Sequence, residues 1–123
     1  SMAIESLRRS GSLPNLAYAE AGAVTQSSNK STGVTLSQMQ GVITMNNAAL
    51  AAGVEVAFVV TNTLVELTDT VVVAIQSGGT VGEYLAHVST VTNGSFTITL
   101  ANLSGSSASD AVILNFYVLR GDR

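Results

Sequence analysis

The sequence predicts an all-β protein: an antiparallel, jelly-roll-like β-sandwich of about eight short strands behind an extended N-terminal arm. Three observations carry this expectation. Apolar residues recur at period two in several short stretches, the spacing that gives a strand one buried and one wet face. Glycine-bearing or small polar turns separate those stretches at intervals of roughly ten residues. The polar role falls to hydroxyls: the chain has 15 Ser and 13 Thr against 11% charged residues, where globular chains average roughly 25%.

Residues 1–20 read as an arm or linker and 21–123 as the sandwich domain. In the arm, Ala3-Ile-Glu-Ser-Leu-Arg-Arg9 suits two helical turns with Ile4 and Leu7 on one side, ended by Gly11 and Pro14. Leu13, Leu16 and Tyr18 follow as spaced apolar anchors among small residues. Such a terminus either frays or docks on another protein through those anchors, steered by Arg8 and Arg9. Short strands are then expected over Ala23–Gln26 and Gly33–Leu36, split by a polar turn, and over Gly41–Met45 with Ile43 and Met45 inward. Asn46–Gly53 has helical propensity but is too short for an independent helix, and reads as a one-turn connection capped by Gly53. Val54–Thr61 puts Val54, Val56, Phe58 and Val60 on a core face.

Asp69–Gln76 is a β-branched run, and Ser77-Gly-Gly79 with Gly82 makes a turn. Glu83–Thr92 alternates until Ser89-Thr90, where a bulge or register change is expected. Asn93-Gly94 is the strongest hairpin signal in the chain. Beyond it, Phe96, Ile98 and Leu100 point one way and Ser95, Thr97 and Thr99 the other. Asn102–Asp110 reads as the loop of a closing hairpin, followed by a strand with Val112, Leu114, Phe116 and Val118 on its core face. Ile113, Tyr117 and Leu119 leave the other face of that strand largely apolar. It is therefore either central in a two-layer structure or covered by another subunit, which makes these three the candidate subunit interface.

Charge excludes one class of partner. Arg8, Arg9, Lys30, Arg120 and Arg123 are the only Lys and Arg residues, and none falls between Ser31 and Leu119. Nucleic-acid binding needs several cations to displace counterions from phosphates, so DNA and RNA are not expected partners. Apolar runs of about five residues are too short for a spanning helix. Without cysteine there is no disulfide scaffold or thiol chemistry.

Chemistry is scarce. His87 has no second His or Cys near it and reads as a solvent-facing strand histidine. A Ser-His-Asp set can be drawn from His87, Asp110 and a serine, but no G-x-S-x-G elbow supports it. The acids are too scattered for an evident carboxylate pair, and no EF-hand-type calcium loop occurs. Ser77–Gly82 lacks the Lys and following helix of a phosphate cradle. Tyr84 and Tyr117 suit packing first and a sugar-stacking platform second. No catalytic, cofactor or metal residue is expected, and the chain does not read as an enzyme.

Three phrases carry a resemblance: Ala21-Gly-Ala-Val-Thr-Gln-Ser-Ser-Asn-Lys-Ser-Thr-Gly-Val-Thr-Leu36, Gly41-Val-Ile-Thr-Met-Asn-Asn-Ala-Ala-Leu-Ala-Ala-Gly53, and Gly94–Gly105 with Asp110–Phe116. They resemble a small β domain of virion proteins of tailed bacteriophages, over roughly residues 21–119. The motifs are strand and turn residues, so the resemblance implies fold and setting and assigns no binding residue. It implies a virion structural protein, made in the host cytoplasm and placed on the capsid surface as a homo-oligomer, a trimer by preference. Met2–Arg123 reads as a whole small protein, which suits a capsid decoration (cement) or head-fibre protein better than a long fibre. On this reading the major capsid protein or another virion protein is the partner, contacted by Ile4, Leu7, Arg8, Arg9, Leu13, Leu16 and Tyr18. The alternatives are a receptor-binding tip that takes a surface glycan at Tyr84 and Tyr117, or a tail or baseplate assembly subunit.

Overall fold

The computed structural model describes residues 21–122. The candidate arm residues Ile4, Leu7, Arg8, Arg9, Leu13, Leu16 and Tyr18 therefore lie outside the described residues. Eight strands occur and no helix among the described residues: β1 (Gly22–Thr25), β2 (Val34–Thr35), β3 (Gln40–Thr44), β4 (Glu55–Thr61), β5 (Thr70–Ser77), β6 (Tyr84–Thr92), β7 (Ser95–Asn102) and β8 (Ile113–Leu119). They form two four-stranded sheets. The first has the order β1-β3-β8-β5 and the second β2-β4-β7-β6.

The chain passes from one sheet to the other at every connection except β6–β7. This overturns the expectation of wholly antiparallel sheets, because β1 pairs parallel with β3 and β2 parallel with β4. The physical reason is the crossing itself. β2 lies in the opposite sheet, so it serves as the crossover that a parallel β1–β3 pair requires. A period-two pattern reports which face is buried and says nothing about which strand lies alongside.

The same crossing removes the expected closing hairpin. β7 pairs with β4 and β6, whereas β8 pairs with β3 and β5. Residues 103–112 thus carry the chain over the end of the core from one sheet to the other. Asn46–Gly53 is likewise not a helical turn. Leu50 is buried and bridges Ala108, exchanging both backbone hydrogen bonds with it. Burial of Leu50 and pairing with residue 108 outweigh a weak local helix propensity. Gly53 stands at φ +72°, where a left-handed turn favours glycine.

Between the sheets the alternating residues meet as expected. Ile43, Met45, Phe58, Val60, Phe96, Ile98, Leu100, Val112, Leu114, Phe116 and Val118 are all buried in one cluster. Phe96 of one sheet meets Phe116 of the other edge to face, with ring centroids 5.1 Å apart, a favoured aromatic geometry. Val54 is the exception on the β4 core face and is 44% exposed, because it lies beyond the first paired residue, Glu55. Thr99, expected on the wet face, is buried and donates to the Ser89 hydroxyl at 3.0 Å.

Ser89 is the bulged residue, since the β6–β7 register shifts between Val88 and Thr90. Thr92 and Ser95 close the Asn93-Gly94 turn. Only Gly94 has positive φ there, and the turn is tied down from outside: Leu67 N–H donates to Asn93 Oδ1 and Gly94 N–H to the Val65 carbonyl, both at 2.9 Å.

Strand direction gives the molecule two poles. Loops 36–39, 62–69 and 93–94 share one pole with both ends of the described chain. Loops 26–33, 45–54, 78–83 and 103–112 share the other, the distal pole.

Candidate interaction surface

The four strands β1, β3, β8 and β5 contain no Asp, Glu, Lys, Arg or His. Register across this sheet fixes what its outer face presents. One row is Ala23, Val42, Asn115 and Ala74; the next is Gln40, Tyr117 and Val72; the flanking positions are Thr44 with Ile113 and Thr70 with Leu119. The expected interface residues Ile113, Tyr117 and Leu119 therefore do share one face, because alternate residues of β8 must. Sequence reasoning missed Val42, Val72 and Ala74, which are remote in the chain and join that face only through pairing with β8.

A shallow groove of about 490 Å³ runs over this face, lined by Ala21, Val42, Val72, Ala74, Asn115 and Tyr117 among others. Val42, Asn115 and Ala74 of the central row and Gln40, Tyr117 and Val72 of the next all line it. Gly41 belongs to the inner side of the same sheet. A Cβ there would come within 2.5 Å of the Leu36 side chain and 2.8 Å of the Phe116 ring, so glycine lets Leu36 and Phe116 close under the groove.

The outer face of the other sheet differs. It presents Thr61, Ser95 and Thr92 in one row and Val59, Thr97 and Thr90 in the next, with Glu55 and His87 as its ionisable groups. Val59 and Leu85 are about half exposed on it, so this face differs from the first in its hydroxyl rows and its ionisable groups. His87 is exposed here, while Asp110 is committed elsewhere.

Acidic groups gather at the poles. At the distal pole Asp110 Oδ2 accepts a 2.8 Å hydrogen bond from the Tyr84 hydroxyl. Burial pushes the Tyr84 phenol above the usual tyrosine range, and the Asp110 carboxylate adds to the shift. Tyr84 is only 8% exposed and Tyr117 belongs to the other sheet. The two tyrosines do not combine into one stacking platform.

Lys30, which the sequence shows only as one of five scattered cations, is buried at the distal pole. Its ammonium donates to the Asn46 carbonyl and to the Asp110 carbonyl, the latter at 2.6 Å. Burial lowers its pKa, with the Asp110 charge opposing. Gln26, also buried, donates to the Lys30 and Thr32 carbonyls and accepts from Asn46 N–H.

Asparagines at strand ends repeat one device. Asn62 and Asn102 each accept on Oδ1 from the backbone N–H two residues on and donate through Nδ2 to a carbonyl of a distant loop: Gln38 for Asn62 and Leu50 for Asn102. Asn46 does the same with Ala48 and Ser27. The signal for them was present as an Asn closing a strand, an Asx-turn former; the distant carbonyl had no local sign.

At the terminal pole the buried Asp69 carboxylate accepts from Glu66 N–H and Gly121 N–H, both at 2.9 Å, with Arg120 3.9 Å away. Among the described residues no three of His, Asp and Glu come together as a metal-binding group. Comparison with protein-family models, curated proteins and solved structures finds no match.

Proposed function

We propose that the chain is a structural protein of a bacteriophage virion, a capsid decoration or head-fibre protein that binds the capsid exterior as an oligomer. The observation that carries this reading is the shared pole. Residues 2–20 join the domain at Ala21, before β1 at one edge of its sheet, while the tail at Arg120–Asp122 is held on Thr68 and Asp69, before β5 at the other edge and the same pole. A subunit whose described chain begins and ends at one pole is suited to stand on a surface with that pole down and its distal loops outward. The uncharged outer sheet face suits packing among repeated copies. The finer fold reading, a jelly-roll-like sandwich with an extended arm, goes with this proposal; the repeated crossing between sheets supports its jelly-roll part.

Deleting residues 2–20 tests it. The truncated protein should keep the circular dichroism and melting behaviour of the domain and lose cosedimentation with capsids of the phage that encodes it. Undiminished attachment by the truncated protein would overturn the assignment.

A further inference from the structure

We infer that the outer face of the β1-β3-β8-β5 sheet is covered by a second copy of this chain. The inference rests on the structural role proposed above for its setting, an assembly of repeated copies, and deepens it by naming the face.

Charge selects the occupant. The protein carries eight Asp and Glu against five Lys and Arg, so any contact that brings acidic surface onto acidic surface is repulsive. Acids occupy both poles, at Glu55, Glu83 and Asp110 on one and Glu66, Asp69 and Asp122 on the other, and Glu55 and His87 mark the second sheet. Among the described residues, the outer face of the β1-β3-β8-β5 sheet carries no ionisable group besides Tyr117. A face without charge of either sign can oppose its own image with no like-charge cost, as contacts between identical subunits demand. A charged partner would gain nothing from it.

Extent allows a weak contact. Strands about 4.8 Å apart with about 3.3 Å per residue give this face roughly 400 Å² in projection. That is about half of the ~800 Å² that a standard interface takes from each partner, which fits reversible, concentration-dependent association. Pairing through sheet edges is the other route between β proteins, and here every edge is blunted. β1 and β2 have four and two residues, while β5 and β6 each carry a register break. Short and bulged edges discourage strand addition, which leaves the face.

Sedimentation velocity over a wide concentration range, with light scattering for mass, tests the inference on the full chain. Wild type should associate reversibly into multiples of 12.6 kDa. Val72 is 47% exposed on β5 and Asn115 is exposed at the groove centre, so Val72→Lys and Asn115→Lys should fold normally by circular dichroism. Each sets cations face to face in the contact and should weaken association by about a hundredfold or more. Thr90→Lys, on the opposite outer face, should associate as wild type does. A wild-type monomer at all concentrations, or lysine variants that associate undiminished, would overturn the inference. So would association that appears only after residues 2–20 are deleted, since the chain's own leading segment would then be the cover. Failure here is separable from failure of the shell-binding role: a monomer that still binds capsids refutes the self-contact and the oligomer but leaves capsid binding standing, and a self-associating protein that ignores capsids refutes only the role.

Discussion

Asn102 offers the sharpest test of how the distal loops are held. It closes β7, is 1% exposed, and donates through Nδ2 to the carbonyls of Leu50 and Ser106, each at 2.9 Å. Its Oδ1 accepts from Ser104 N–H at 2.9 Å and Ser104 Oγ at 2.7 Å. Asn102→Asp keeps the shape and both acceptor bonds but turns the two donors into an oxygen. Leu50 O keeps Ala108 N–H and Ser106 O keeps Ser104 Oγ, but each loses its bond from Asn102 and faces negative charge. Two lost bonds contribute about 1 kcal/mol each and an uncompensated buried charge adds about 1–3 kcal/mol, so the substitution predicts about 4 kcal/mol, a large part of a typical total of ~5–15 kcal/mol.

Urea unfolding followed by circular dichroism reads this directly. A pH series adds a second signature. Burial and the two carbonyls raise the pKa of the carboxyl introduced by N102D above its unfolded value of about 3.9. The folded state then holds the proton more tightly, so the deficit relative to wild type should narrow as pH falls through the folded pKa toward 3.9. The protonated carboxyl supplies one of the two lost donors. A loss below about 1 kcal/mol at neutral pH, or a deficit that does not narrow in acid, would refute the role given to Asn102.

Two further substitutions probe the ends of the core. A Cβ on Gly121 would fall 1.7 Å from the Thr68 carbonyl oxygen, so Gly121→Ala should lift the tail off Asp69 and release the 2.7 Å bond from Thr68 Oγ1 to the Asp122 carbonyl. The expected cost is about 2 kcal/mol, a fall in Tm of roughly 10 °C in a thermal melt, and an unchanged Tm would refute the clasp. Tyr84→Phe should cost about 1–3 kcal/mol near neutral pH through loss of the bond to Asp110. Because the folded Tyr84 pKa is raised, that contribution is complete below the unfolded value of about 10 and is withdrawn as pH rises above it. The gap between wild type and Y84F should therefore shrink in alkali, and a widening gap would count against the assignment.

How much of this was legible beforehand depended on the range of the cause. Faces were legible because each follows from neighbours two residues apart: Phe96, Ile98 and Leu100 had to share a side, and they line the core. The bulge at Ser89 and the Asn93-Gly94 turn were legible for the same reason, as local breaks in alternation and local turn chemistry. The candidate face was half legible. Ile113, Tyr117 and Leu119 alternate along one strand, whereas Val42, Val72 and Ala74 join them only through register with β8. Lys30 shows in the sequence only as one of five cations, and its contacts with Asn46 and Asp110 alone place it inside.

The sequence by itself thus determined an all-β chain with its core-facing residues, its polar turns and its scarcity of charge, since period-two alternation and turn composition act over a few residues. Only the tertiary structure decided which strands lie side by side. The loop over 103–112 could equally have turned β8 back onto β7. It crosses instead because Leu50 bridges Ala108 and Asn102 holds Leu50 as well as Ser106; Leu50 lies more than fifty residues from both partners and leaves no local trace beside them.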